Sequence, residues 1–145
     1  MQIKINNTCG AALLLLTALL ARPALAEVAV VVSAKSTATA LTADQASDIF
    51  LGKSNALPGA GQAVPIDQAE SSPAREEFYH KGAGKNLVQV KAYWSKQIFA
   101  GKGQPPKDVG DNAGVKALVA SNPNMIGYID KSAVDGTVKV LLTLK

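Results

Sequence analysis

Four valines and an alanine stand together at Val28–Val32, inside "EVAVVVSAK". A run with no polar residue at alternate positions cannot leave one face of a sheet in water. It reads as a strand covered on both faces, the kind found in parallel sheets. Such a strand needs a layer on each side, and helical segments follow it in the chain.

"LTADQASDIFLGK" opens with Thr42 and Gln45 at capping-box spacing and closes on Gly52, which predicts a short helix with Ile49 and Phe50 facing inward. "NALPGAGQ" is turn-rich, "AVPID" is a short strand, and a second helix starts near Ser72. "KNLVQVKAYWSKQIFAGKG" places Leu87, Val90, Trp94 and Ile98 three and four residues apart, a helix ending at Gly101. "GQPPKDVGD" reads as loop, because Pro105 and Pro106 cannot continue that helix. "NAGVKALVASNP" is helical as far as Asn122-Pro123. "NMIGYID" and "TVKVLLTLK" are strands, with a turn at Asp135-Gly136 suited to a hairpin. Strands alternating with helices and then a terminal strand pair predict an α/β domain with a mixed sheet. "IFLGK" and "IFAGK" (Ile49–Lys53 and Ile98–Lys102) have unlike flanks and read as one helix ending used twice, with Phe packed under a glycine cap.

The chain begins with Lys4, an uncharged apolar run from Ala11 to Ala21, and Ala24-Leu25-Ala26, the pattern of a secretory signal peptide. The apolar run is about half of the roughly 20 residues needed to span a bilayer. Cleavage after Ala26 leaves Glu27–Lys145, enough for one compact domain, expected in the bacterial periplasm and not embedded in a membrane. Losing Lys4 and Arg22 lowers the formal charge from +4 to +2, and the remaining lysines are spread along the chain, so no nucleic-acid partner is expected. Cys9 precedes the apolar run and leaves with it. Disulfides, thiolate catalysis and cysteine metal sites are then excluded, as is a lipid tether on a mature N-terminal cysteine.

Several motifs carry no chemistry. "GKS" at Gly52–Ser54 lacks the glycine a phosphate-binding loop needs five positions earlier, where Ser47 stands. His80 is the only histidine, so the chain is not expected to be an enzyme or to hold a metal or cofactor. Trp94 falls in the apolar stripe of its helix and reads as core, with Tyr93 beside it.

"ESSPAREEFY" is different. Ser72 suits an N-cap and Pro73 the first helical position, where its missing N–H costs nothing. The next N–H groups then point out of the helix end, which carries roughly half a positive charge and suits the oxygens of phosphate or sulfate. Ser71 and Ser72 can add hydroxyl donors, and Arg75 could offer a planar fork to two oxygens. The alternative is an ordinary helix start, with Arg75, Glu76 and Glu77 forming a solvated face. Ser33 and Lys35, just after the first strand, could add a second wall.

The segments "LTADQASDIFLGK", "VPIDQAESSPAREEFY" and "YWSKQIFAGKGQPPKDVGDNAGVKALVASNPNMIGYID" together resemble the periplasmic substrate-binding proteins of phosphate ABC transporters, in particular their short single-domain relatives. "NPNMIGYID" after "GKGQPP" is the most specific part. The resemblance implies a single periplasmic-binding-protein-like lobe and non-catalytic binding of inorganic phosphate, with delivery to a membrane permease. In the full-length family a serine-glycine-threonine at this helix start and an arginine four residues before the serine hold the anion. Ser71 matches the serine, Ser72 stands at the glycine, Pro73 at the threonine, and Asp67 at the arginine. A second reading, prompted by Asp67, Pro73 and the short chain, is a ligand-free periplasmic adaptor or sensor subunit that keeps the fold and binds another envelope protein.

Overall fold

The computed structural model describes residues 26–145; the leader reading and Cys9 fall on residues 1–25, outside the described part. Along the chain the elements are β1 (Val28–Ser33), α1 (Ala43–Phe50), β2 (Ala56–Leu57), β3 (Gly61–Gln62), β4 (Val64–Asp67), α2 (Pro73–Ala83), α3 (Leu87–Phe99), β5 (Lys107–Asp108), α4 (Asn112–Ser121), β6 (Met125–Asp130) and β7 (Val138–Leu144), with one 3-10 turn at Lys131–Ala133.

β1 is buried along its whole length, as its valines require. Side chains alternate across a strand, so Val28, Val30 and Val32 join a cluster with Phe50, Phe78 and Trp94, while Ala29 and Val31 join a second cluster with Ile66, Val115 and Val119. Each fully buried Val or Phe side chain is worth roughly 1.5–3 kcal/mol, which favours covering both faces. α1, α2 and α3 cover the first face and α4 the second. Both clusters lie entirely within Val28–Leu144, so this part of the chain carries its own core.

The five-stranded sheet has the order β5-β4-β6-β1-β7. β4 runs parallel to β5 and β6, whereas β1 is antiparallel to both its neighbours, β6 and β7. The sheet is mixed, as expected, but the parallel setting inferred for β1 is corrected: burial on both faces produces the same apolar run in either direction. The suggested hairpin is also corrected, because β1 lies between β6 and β7. Lys107–Asp108, read as loop, forms a two-residue edge strand, too short to leave a period in the sequence.

Helix ends follow their caps. Thr42 and Gln45 close the capping box of α1, Asn86 and Gln89 that of α3, and Asp111 accepts from Gly114 N–H at the start of α4. Gly52 follows α1 at φ 71°, where any other residue would be strained. The pentapeptide repeat does not pack twice: Phe50 is fully buried, but Phe99 is 96 % exposed and Ile98 45 %. The two glycine-ended turns are alike, and only the first faces the core.

Candidate functional site

β4 and β6 are parallel, and their C-terminal ends open at the same edge of the sheet, where crevices form between the elements that follow. Gln68 leaves β4, Asp130 ends β6, and the N-termini of α2 and α4 come to the same place. Between them lies a cleft of about 590 Å³. One wall is Gln68, Ser71, Ser72 and Ala74; the other is Asp111, Asn112 and Asp130.

Ser72 is the N-cap of α2 by backbone, and Pro73 is its first residue, as the sequence requires. The Ser72 side chain does not cap the helix. Its hydroxyl donates to Gln68 Oε1 at 2.6 Å. Gln68 Nε2 donates to Asn112 Oδ1 at 2.9 Å and to the Tyr128 carbonyl at 2.8 Å. Asn112 Nδ2 donates to Asp130 Oδ2 at 2.6 Å, and Asp130 N–H returns to Asn112 Oδ1 at 3.1 Å. This chain ties the two walls together and presets their separation. Among the described residues the N–H groups of Ser71, Ala74, Asn112 and Ala113 donate to no protein acceptor, and the Ser71 hydroxyl is likewise uncommitted. Of these, Ser71 and Ala74 at the start of α2 and Asn112 at the start of α4 line the same cleft.

Arg75 is not in that cleft. Its Nε lies 3.3 Å from Asp67 Oδ1, and its guanidinium sits 5.5 Å from the centre of the Tyr79 ring. It opens on a separate, smaller cleft of about 200 Å³ with Glu70, Leu87, Val88 and Lys91. Asp67 is buried; Tyr79 Oη donates to its Oδ2 at 2.8 Å, Tyr128 Oη donates to its Oδ1, and Gln68 N–H donates to Oδ1 at 2.8 Å. Burial, and next the charge of Asp67, push both phenols far above their ordinary value. Burial alone would lower the Arg75 guanidinium, but Asp67 and the two tyrosines outweigh it and hold it above its usual range.

The second wall read at Ser33 and Lys35 is not brought to this cleft. β1 runs antiparallel to β6, with Val28 facing Asp130 and Val32 facing Ile126, so Ser33 sits at the opposite sheet edge. There the Ser33 hydroxyl donates to the Ala120 carbonyl at 3.2 Å, and Lys35 borders a groove with Thr37 and Asn124. Of the charged face read at Glu76 and Glu77, Glu77 pairs with Lys81 at 2.9 Å. Gln68, Asn112 and Asp130 were missed by sequence reasoning. Asp111-Asn112 before an apolar run was a legible helix start, but nothing local says that it meets α2.

No protein-family model matches the chain, and no curated protein matches it. Solved structures do. A phosphate-bound protein from Clostridium perfringens, described as a phosphate ABC transporter substrate-binding protein, matches with a TM-score of 0.62 at 22% identity, over 80% of this chain and 45% of its own. An ABC-type phosphate transport receptor from Vibrio cholerae matches with a TM-score of 0.62 at 21% identity, over 80% and 46%. The fold is a periplasmic-binding-protein-like lobe. PstS from Borrelia burgdorferi has the same relation to it, with a TM-score of 0.56 at 17% identity over 80% and 47%. The lobe spans less than half the length of these structures. Its cleft lies at a carboxyl edge of its sheet, and no lysine or arginine lines that cleft.

Proposed function

We propose that this chain is an exported solute-binding protein that holds inorganic phosphate, without catalysis, in the cleft between the N-termini of α2 and α4, and passes it to a membrane permease. The observation that carries this reading is the convergence of uncommitted N–H groups from two helix ends on one cleft. Ser71 supplies the free hydroxyl. Ser72 acts through its helix-end position, since its hydroxyl is held by Gln68. Arg75 serves as the counter-charge of Asp67 and touches no ligand.

In this reading the carboxylates on the far wall select the ligand by its protonation state. Asp130 accepts from Asn112 through Oδ2 and Asp111 accepts from Gly114 through Oδ1, which leaves each a second oxygen. A carboxylate oxygen only accepts hydrogen bonds. It suits an anion that still bears a proton, as phosphate does near neutrality, and repels sulfate, which bears none. With no cation in an open, one-lobed cleft, affinity is modest, because charge interactions in contact with water are weak.

The test is calorimetric titration of Glu27–Lys145 with phosphate, sulfate and a neutral solute, repeated on Ser71→Asp. Saturable phosphate binding that is absent for sulfate and lost in the variant supports the reading; no heat with either anion from a folded sample rejects it. The absence of a lining cation, with the cleft's side chains already bonded to one another, favours a second reading, a ligand-free adaptor or sensor subunit. Phosphate-independent complex formation with another envelope protein would support it.

A further inference from the structure

α3 is buried on one side only. Val90 and Trp94 face the core, while Val88 is 77 % exposed and Phe99 96 %. At 3.6 residues per turn, Val88 and Phe99 lie three turns apart on one line, with Ala92 and Ser95 between them. That line is opposite Val90 and Trp94. Lys91 flanks it on one side and Lys96 on the other, and Ile98, 45 % exposed, adds apolar surface beside Lys91. The smaller cleft that holds Arg75 adjoins this face through Val88 and Lys91.

The segment that carries this face has charge of one sign, with Glu70 the carboxylate that meets it in the smaller cleft beside Val88 and Lys91. From Lys85 to Lys107 there are five lysines, Lys85, Lys91, Lys96, Lys102 and Lys107, and no aspartate or glutamate. None of the five pairs with a carboxylate among the described residues. A ridge that is apolar along its crest and basic along its flanks is complementary to a surface that is negative outside and apolar beneath.

We propose that the outer face of α3 docks this protein on an anionic phospholipid surface, with Phe99 and Val88 entering the headgroup layer and the lysines facing lipid phosphates. A protein partner fits less well, because specific interfaces are depleted in lysine and anchored by Trp, Tyr and Arg. Free lysines on flexible stems suit a surface of mobile headgroups. Lateral search along a membrane would also shorten the path to a permease, but the docking does not depend on what the cleft holds.

The experiment is vesicle co-sedimentation of Glu27–Lys145, using phosphatidylcholine alone and phosphatidylcholine mixed equally with phosphatidylglycerol, for the parent chain, Phe99→Ser and Lys91→Gln/Lys96→Gln. All three side chains are exposed, so folding is preserved and is checked by circular dichroism. Binding is expected only to the anionic vesicles, falling with added salt, and weakened about fivefold for each lysine removed. Phe99→Ser is expected to lose binding that salt does not. No preference for anionic vesicles, or binding indifferent to these substitutions, overturns the proposal. Self-association abolished by Phe99→Ser would overturn it in favour of a second copy of the chain, and capture on an acidic peptide without vesicle binding in favour of a protein.

Discussion

Buried Asp67 pairs with half-buried Arg75 across the start of α2, at 3.3 Å, with Tyr79 and Tyr128 closing on the same carboxylate. The pair explains two departures together. Asp67 stands where the sequence resemblance to phosphate receptors would expect an arginine, and Arg75 of α2 turns toward it. The charge inversion is absorbed beneath the cleft instead of being presented to a ligand.

Removing Arg75 leaves Asp67 buried without its cation, and removing Asp67 leaves two buried phenols without their acceptor. Arg75→Ala and Asp67→Ala are each expected to lower unfolding free energy by about 3–5 kcal/mol, measured by urea denaturation. The double substitution Asp67→Leu/Arg75→Met, which removes both charges, is expected to cost clearly less than the sum. Lost phosphate binding in Arg75→Ala would therefore report on folding, and Ser71→Asp is the cleaner probe of the cleft.

The two phenols set an alkaline limit. Folding raises the pKa of Tyr79 and Tyr128 above the ordinary 10.0, through burial first and Asp67 second. The unfolded chain thus releases these protons at a pH where the folded chain keeps them. Stability is full below about pH 10 and falls as pH rises further, by about 1.4 kcal/mol per pH unit for each tyrosine. Denaturant titrations at stepped pH should show this slope, roughly halved in Tyr128→Phe.

Asp130→Asn tests the selectivity proposed for the cleft. Replacing the carboxylate by an amide removes a negative charge from the cleft and supplies a donor. Sulfate affinity is expected to rise about tenfold or more relative to phosphate, as read by calorimetry. An unchanged ratio would remove Asp130 from the site.

Gly127 lets α4 approach the sheet. A Cβ there would stand 2.5 Å from Val115 Cγ1. Gly127→Ala should cost about 1–3 kcal/mol, seen as a lower melting temperature. Because the same helix carries Asp111 and Asn112 into the cleft, phosphate binding by the folded variant should weaken as well.

What could be read from the chain was what is local. Thr42 and Gln45, Pro73 and Gly52 act within a few residues, and each does as its chemistry dictates, whereas Ser72 caps α2 by backbone alone because Gln68 takes its hydroxyl. Val28–Val32 announced burial on both faces but not the direction of its neighbours, because one buried run satisfies either ladder. Ile98-Phe99 repeated Ile49-Phe50 in letters alone; exposure is decided by the layer a helix packs on. The cleft was half legible. Ser71 and Ser72 were found by helix-end chemistry, whereas Gln68, Asn112 and Asp130 belong to three elements that only the parallel pairing of β4 and β6 brings together.

The central position of β1 also governs the order of assembly. Its two ladder partners, β6 and β7, come from the last part of the chain, so the first strand of the described residues is the one that waits longest for its hydrogen bonds. Until Val138–Leu144 is made, one side of β1 has no ladder partner. Loss of the last strand would therefore turn β1 into the open margin of the sheet, paired on one side only.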